Sequence, residues 1–227
     1  MREIVFDTET TGLSHGSGDR MVEIGCVEIV GGVETGASFH AYFNPDRDMP
    51  AEAEAVHGLT ARFLAGQKRF AERLDELMAF FGDSPLVAHN APFDLGFLNA
   101  ELALCRRAAV PHIRVIDTLA LAKRRHPGAK LSLDALCSRY GIDRSHRVKH
   151  GALLDAQLLA RVYLELNGGA QIGLLPTGEA GAGPIRAARS AKPVRPARPH
   201  APSAEELARH RSFVGQMADP IWDRLPA

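Results

Sequence analysis

The chain has 227 residues, 45% of them hydrophobic, with 27 basic and 27 acidic side chains and a formal net charge of zero. That length holds one ordinary domain and an appendage, bulk charge announces no nucleic-acid partner, and no run of about 18 apolar residues offers a membrane span. Cys26, Cys105 and Cys137 are odd in number and far apart, which argues against a disulfide framework or a cysteine zinc site. With no signal peptide before the first strand pattern, this fits the reducing cytoplasm.

Ile4-Val5-Phe6 runs straight into Asp7-Thr8-Glu9, and a first strand is expected over about residues 2–7. Residues 21–30 read as a second strand, closed by Gly31-Gly32, and 37–43 as a third, ended by Asn44-Pro45. Their short connections make an antiparallel meander. A short helix over 51–56 follows, then a turn at His57-Gly58, with Thr60 as cap of the next short helix. Phe70, Leu74, Leu77 and Phe81 recur at helical spacing, and Pro85–His89 is a short buried strand. Pro92, in a favoured first position, opens a helix to about residue 107. A fifth strand over 113–116, a helix from Asp117 to 123 and a helix over 131–140 stopped by Gly141 come next. A basic loop, 144–149, leads to the last core helix, 152–166. Three meander strands followed by alternating helices and strands imply an α/β domain, a mixed five-stranded sheet flanked by helices.

Composition changes at the end of that domain, placed at residues 1–167. From 168 to 202 the chain carries six prolines and Arg186, Arg189, Lys192, Arg195 and Arg198 against the single acid Glu179. Too few large apolar residues remain to bury a core, so a flexible Pro/Ala/Gly/Arg linker is expected. Residues 203–227 regain helical character. Ser203 to Glu206 has capping-box form, Leu207, Val214 and Met217 keep helical spacing, and Trp222 is the only tryptophan. A short amphipathic end beyond a linker reads as a docking segment for a partner.

Four acids carry the chemistry. Asp7 and Glu9 are two apart, so a strand points both to one face. Alone they also fit a solvated strand end. Asp94 falls in the first turn of its helix, where the helix dipole by itself would favour an acid. Asp155 shares a helix face with Leu159, Val162 and Leu166. An acid heading an apolar stripe points inward and must be paired or coordinated. His150 lies five positions earlier, about 140° away on an ideal helix, so to join Asp155 it must sit on the preceding loop. An exposed loop histidine beside Arg147 and Lys149 is the alternative. Four carboxylates in one cleft suit two divalent ions of the hard, oxygen-seeking kind, Mg²⁺ or Mn²⁺. A neutral imidazole beside them could take a proton from water.

Asp7-x-Glu9, Asp94 in His89-Asn90-Ala91-Pro92-Phe93-Asp94, and His150-x₄-Asp155 resemble the three motifs of the DEDDh exonucleases. Together with Phe6 to Leu13, the Glu54-to-Thr60 segment and the tail, they most resemble the branch that proofreads for bacterial replicative DNA polymerases. The resemblance covers residues 1 to about 166. It implies a ribonuclease-H-like fold and 3′→5′ removal of mispaired DNA ends as 5′-monophosphates. It implies one metal on Asp7, Glu9 and Asp155, a second on Asp7 and Asp94, and His150 as general base. It implies that His57, Thr10, Gly12 and Leu13 meet the terminal nucleotide and that Asn90 and Phe93 approach the strand. Its implied partners are the polymerase alpha subunit through 203–227 and a small third core subunit, with no membrane. Gln171-Ile172-Gly173-Leu174-Leu175 resembles the short sliding-clamp-binding peptide. The competing readings are a DEDDh exoribonuclease that trims RNA 3′ ends, which would not need such a tail, and a non-catalytic tether between polymerase and clamp, which would not need all five catalytic side chains.

Overall fold

The computed structural model describes residues 1–145, 149–168, 201–218 and 220. Arg147, the Gln171–Leu175 peptide, most of the linker and Trp222 lie outside the described residues. The chain divides into two units, Met1–Pro176 and Thr177–Ala227.

In the first unit the strands are β1 (Arg2–Thr10), β2 (Met21–Val30), β3 (Val33–Tyr42), β4 (Leu86–Ala88) and β5 (Val115–Asp117). The helices are α1 (Ala51–His57), α2 (Ala61–Leu64), α3 (Phe70–Phe81), α4 (Ala91–Leu104), α5 (Thr118–Arg125), α6 (Leu133–Tyr140) and α7 (Ala152–Leu166). The sheet order is β3-β2-β1-β4-β5, the expected mixed five-stranded sheet. β1 and β2 run antiparallel, as do β2 and β3, while β4 and β5 run parallel to β1. The C-terminal ends of β1, β4 and β5 therefore share one edge, where sites form in open α/β sheets.

Alternation along β1 divides the core. Ile4 and Phe6 pack with Leu74, Leu77 and Phe81 of α3 and Leu95 and Leu98 of α4. Val5 packs on the opposite face with Val27, Val87 and α7 residues Ala156, Leu159 and Tyr163. Odd-numbered β1 residues thus face α7 and even-numbered ones face α3 and α4.

Several element boundaries differ from the sequence reading, four of them with a clear cause. β1 continues to Thr10 because Glu9 and Thr10 still pair with β2, through an irregularity between them. β3 starts at Val33 because Gly31 and Gly32, both at positive φ, make a two-residue turn that lets Val30 and Val33 pair at once. Ile113 is 97% exposed within a 3₁₀ turn, and β5 begins at Val115 after it. Helix α4 starts at Ala91, with Pro92 second, because Asn90 caps it from the left-handed region at φ 61°. The cap of α2 is as expected, Thr60 Oγ1 accepting from the Phe63 N–H at 3.1 Å.

The second unit contains α8 (Ala204–Val214). Its capping box is formed: Ser203 Oγ accepts from the Glu206 N–H, and the Glu206 carboxylate accepts from the Ser203 N–H at 2.8 Å. No helix among the described residues is long and apolar enough to cross a membrane.

Candidate active site

Asp7 and Glu9 point to the α7 face, as their spacing requires. Gly25, directly opposite Asp7 on β2, lets α7 come close. A Cβ there would lie 2.2 Å from the Leu153 nitrogen and 2.3 Å from the Ala152 carbonyl carbon. The first turn of α7 therefore rests on the glycine and carries Asp155, 2% exposed, to the end of β1. The helix is capped by Gly151 in extended conformation, so the chain turns back before it. His150 lies on that loop with Nδ1 3.3 Å from Asp155 Oδ2, and its side chain is half exposed. The loop placement demanded by the 140° argument is realised.

Glu9, His150 and Asp155 each offer a ligand atom, and these atoms all lie within 4.8 Å of one another. Two hard carboxylates and an imidazole fit a divalent cation. Asp7, more exposed than Glu9, lines the same small cleft together with Thr8, His89, Phe93, Asp94 and Leu133. The tightest cluster thus contains His150 in addition to two of the acids, with Asp7 at its rim.

Asp94 arrives from the other face of the sheet. Its Oδ1 accepts from the Thr8 N–H at 3.1 Å and the Thr8 hydroxyl at 2.7 Å. Burial pushes its carboxyl up to about 7, against the lowering effect of the Thr8 hydrogen bonds and with nearby Asp117 adding to the rise. A buried carboxyl poised to hold or release a proton is what a cation would convert to the ionised form.

Asp117 was not singled out from sequence as a site residue, yet it builds this edge. Its Oδ1 accepts from the N–H groups of Asn90 at 3.0 Å, Ala91 at 3.4 Å and Leu119 at 2.9 Å. It caps α5 and holds the left-handed turn at Asn90 from which α4 and Asp94 hang. His89 is held by Thr118 Oγ1, 2.9 Å from Nδ1, and burial lowers its pKa. Asn90 is exposed and lines neither this cleft nor the next.

A second, larger cleft of about 470 Å³ adjoins the first and shares Thr8, Glu9 and Phe93 with it. Its lining includes Thr10, Gly12, Leu13, Val56 and His57. Leu13 is 87% exposed, an apolar side chain standing in solvent. The Thr10 hydroxyl donates to the Gly12 carbonyl at 2.6 Å. A Cβ on Gly12 would lie 2.3 Å from an Asp19 carboxylate oxygen, so a larger residue there would push that side chain aside. His57 is 6% exposed; its Nδ1 accepts from the Leu59 N–H at 3.0 Å, and Nε2 has no well-formed hydrogen bond. Burial lowers its pKa, while the Thr10 backbone, Glu23 and Glu54 pull the other way. The neutral ring thus carries its proton on Nε2, an atom shielded from solvent.

The loop that forms this cleft is clamped to α4. Arg20 Nε donates to Glu101 Oε1 at 2.7 Å and its Nη2 to Oε2 at 2.8 Å, and the buried Glu101 carboxylate also accepts from the Met21 N–H at 3.3 Å. The His15 ring packs edge-on against Phe97 at 5.6 Å. Phe93 stacks at 5.0 Å from the same Phe97, which ties the rims of both clefts to one helix.

Residues 4–163 match the exonuclease family. Over 174 residues the chain is 51% identical to the DNA polymerase III subunit epsilon of Rickettsia felis, spanning 75% of this chain and 76% of that one. Over 176 residues it is 48% identical to the subunit of that name from Escherichia coli, spanning 74% and 72%. Among solved structures, exonuclease X in complex with 5′-overhanging duplex DNA superposes with a TM-score of 0.54 at 27% identity, over 72% of this chain and 90% of that one. The nuclease domain of 3′hExo, a DEDDh family member bound to rAMP, shares the fold, with a TM-score of 0.64 at 18% identity over 73% and 91%.

Proposed function

The chain belongs to the exonuclease family, and from that premise we infer how its own side chains carry out the reaction. The protein is a divalent-metal-dependent 3′→5′ proofreading exonuclease of DNA polymerase III, with an RNase-H-like exonuclease fold.

The observation that supports the site best is the convergence of Glu9, Asp155 and His150 within 4.8 Å, with Asp7 and Asp94 in the same cleft. We assign two cations, Mg²⁺ or Mn²⁺, to this cleft, one held by Asp7, Glu9 and Asp155, the other by Asp7 and Asp94. When bound, such a pair orients and acidifies a water and stabilises the oxygen that leaves. The chain's own residues do the remainder. His150, half exposed and 3.3 Å from Asp155, takes the proton of the attacking water, and Asp155 orients the ring. Thr8 orients Asp94 by two hydrogen bonds. The terminal nucleotide occupies the larger cleft, with the reacting phosphate where the two clefts meet at Glu9 and Phe93. Leu13 and Phe93 supply apolar faces for the base and sugar, Thr10 and Gly12 the floor, and His57 Nε2–H a donor. Asn90 approaches the strand from the exposed rim.

The amphipathic α8 with its capping box supports 203–227 as the segment that docks on the polymerase alpha subunit, joined to the nuclease domain, 1–167, by the linker 168–202. Gln171–Leu175 is assigned to the sliding clamp and a further surface to a small third subunit. The working compartment is the cytoplasm, where replication runs. Purified protein with Mg²⁺ or Mn²⁺ should shorten a 3′-mismatched DNA primer and release 5′-monophosphates, and Asp155→Asn should abolish this. A variant that digests as well as the parent would overturn the site, and a clear preference for RNA would favour the exoribonuclease reading.

A further inference from the structure

Glu23 is a charged residue of the sheet interior that the mechanism leaves unused. It is 3% exposed and sits in the middle of an apolar strand. In the β1–β2 pairing it lies directly opposite Glu9, and in the β2–β3 pairing directly opposite Tyr42. Residues directly opposite share a sheet face, so Glu9, Glu23 and Tyr42 form one row across three strands on the α7 side. The neighbouring row on that face is Asp7, Gly25 and His40.

Two buried carboxylates directly opposite each other repel, since such pairs have Cβ atoms only about 4.5–5.5 Å apart. On its outer side Glu23 is answered. His40 Nε2 lies 2.7 Å from Oε1, and burial together with the same carboxylate raises the pKa of the Tyr42 hydroxyl. The His40 and Tyr42 rings pack edge-on at 4.7 Å and fix that outer pair. On its inner side stands Glu9, within the cluster with Asp155 and His150. His57, the other ionisable group that feels Glu23, lies on α1.

We propose that Glu23 is a positioning residue of the metal site, a buried carboxylate that supplies no ligand atom and draws the cation to Glu9 by its charge. The inference rests on the reading of Glu9 as a cation ligand. A charge so close to a divalent ion, in an interior poorer than water at screening, changes cation affinity substantially. From the edge inward the row thus reads: a cationic or donor partner at β3, an anion at β2, an anion at β1, and the cation beyond it.

The test uses the full chain stripped with chelator and titrated with Mn²⁺, the free ion being followed by its paramagnetic resonance signal. Glu23→Gln keeps shape and hydrogen bonding and removes the charge. Its Mn²⁺ dissociation constant should rise roughly tenfold, while its melting temperature in chelator should not fall, because a repulsion has gone. His40→Gln keeps the Glu23 charge and should bind Mn²⁺ as tightly as the parent, or more tightly. Parent-like affinity in Glu23→Gln, or an equal loss in both variants, overturns the proposal, since a merely structural pair would move both alike. If Glu23→Gln does not fold, His40→Gln decides: unchanged or tighter binding supports the proposal and weaker binding overturns it. A parent protein that binds no Mn²⁺ would instead sink the metal reading beneath it.

Discussion

Gly25 stands directly opposite Asp7 across the β1–β2 pair, and the first turn of α7 occupies the space where its side chain would be. That contact fixes the distance between the strand that carries Asp7 and Glu9 and the helix that carries Asp155. Gly25→Ala places a methyl 2.2 Å from the α7 backbone, so the helix must move. Overpacking of this kind costs about 1–3 kcal/mol of stability. The displacement of Asp155 and His150 should lower kcat on a mismatched primer by roughly a hundredfold, since about 1 Å of misplacement has that effect. A parent-like kcat in steady-state kinetics would show that α7 finds its place without the glycine.

His150→Ala removes the proposed base and leaves the carboxylate ligands. The rate at saturating metal should drop by about 10²–10⁴. The pH–rate profile should lose the limb that reports an ionising imidazole. His150→Gln, which keeps a hydrogen-bond partner for Asp155, should not restore that limb. A profile unchanged in shape would assign the base elsewhere.

Asp94 makes metal-free stability depend on pH. Its folded-state value, about 7, lies above the ordinary 3.8. The contribution to stability is therefore fully present below about pH 3.8 and is lost as pH rises to about 7. Asp94→Asn cannot ionise and should melt higher than the parent in chelator at pH 8, by up to about 4 kcal/mol. The difference should vanish towards pH 4 and shrink when saturating divalent cation is present. Thermal melts across that range, with and without chelator, measure both effects.

Arg20 and Glu101 tie the loop bearing Gly12 and Leu13 to α4. Glu101 is almost wholly buried, so Arg20→Ala strands its charge. Loss of one partner of such a pair costs about 3–5 kcal/mol. Denaturant titration should find that loss, and KM for primer should rise more than kcat falls, because the loop lines the proposed nucleotide cleft and supplies no ligand to the proposed metal cluster.

Truncation after residue 180 should leave the nuclease activity intact and abolish retention by the polymerase subunit. Pull-down with the purified alpha subunit decides; retained binding would place the docking surface within the first unit.

Much of the architecture could be read from periodicity. The meander, the helical spacing of Phe70 to Phe81 and the inward acid at Asp155 are all local patterns, and each is found where expected. The limits of β1 and β5 were not local matters. Acidic Glu9 looks like a strand end until β2 is placed against it, and Ile113 looks like strand until the 3₁₀ turn leaves it in solvent. The site was legible in its acids and obscure in their supports. Thr8 bonds Asp94 across 86 residues of sequence, and Asp117 reaches Asn90 across 27. Signals existed in a glycine within an apolar strand, Gly25, an acid inside the same strand, Glu23, and an acid at a strand-to-helix junction, Asp117. None of them, without the pairing register, says which neighbour it serves.

The central position of β1 also sets when this nuclease becomes dangerous. β1 pairs with β2 close by in sequence but with β4 only after residue 86, and its acids meet Asp155 on α7, the last helix of the first unit. During synthesis, Asp7 and Glu9 of the proposed site are made before Asp155 by nearly the length of the fold. A half-made chain holds Asp7 and Glu9 on an unfinished sheet without their partner carboxylate. On the proposed site, the ability to cleave DNA is gained only once α7 has been made, before the segments that follow it.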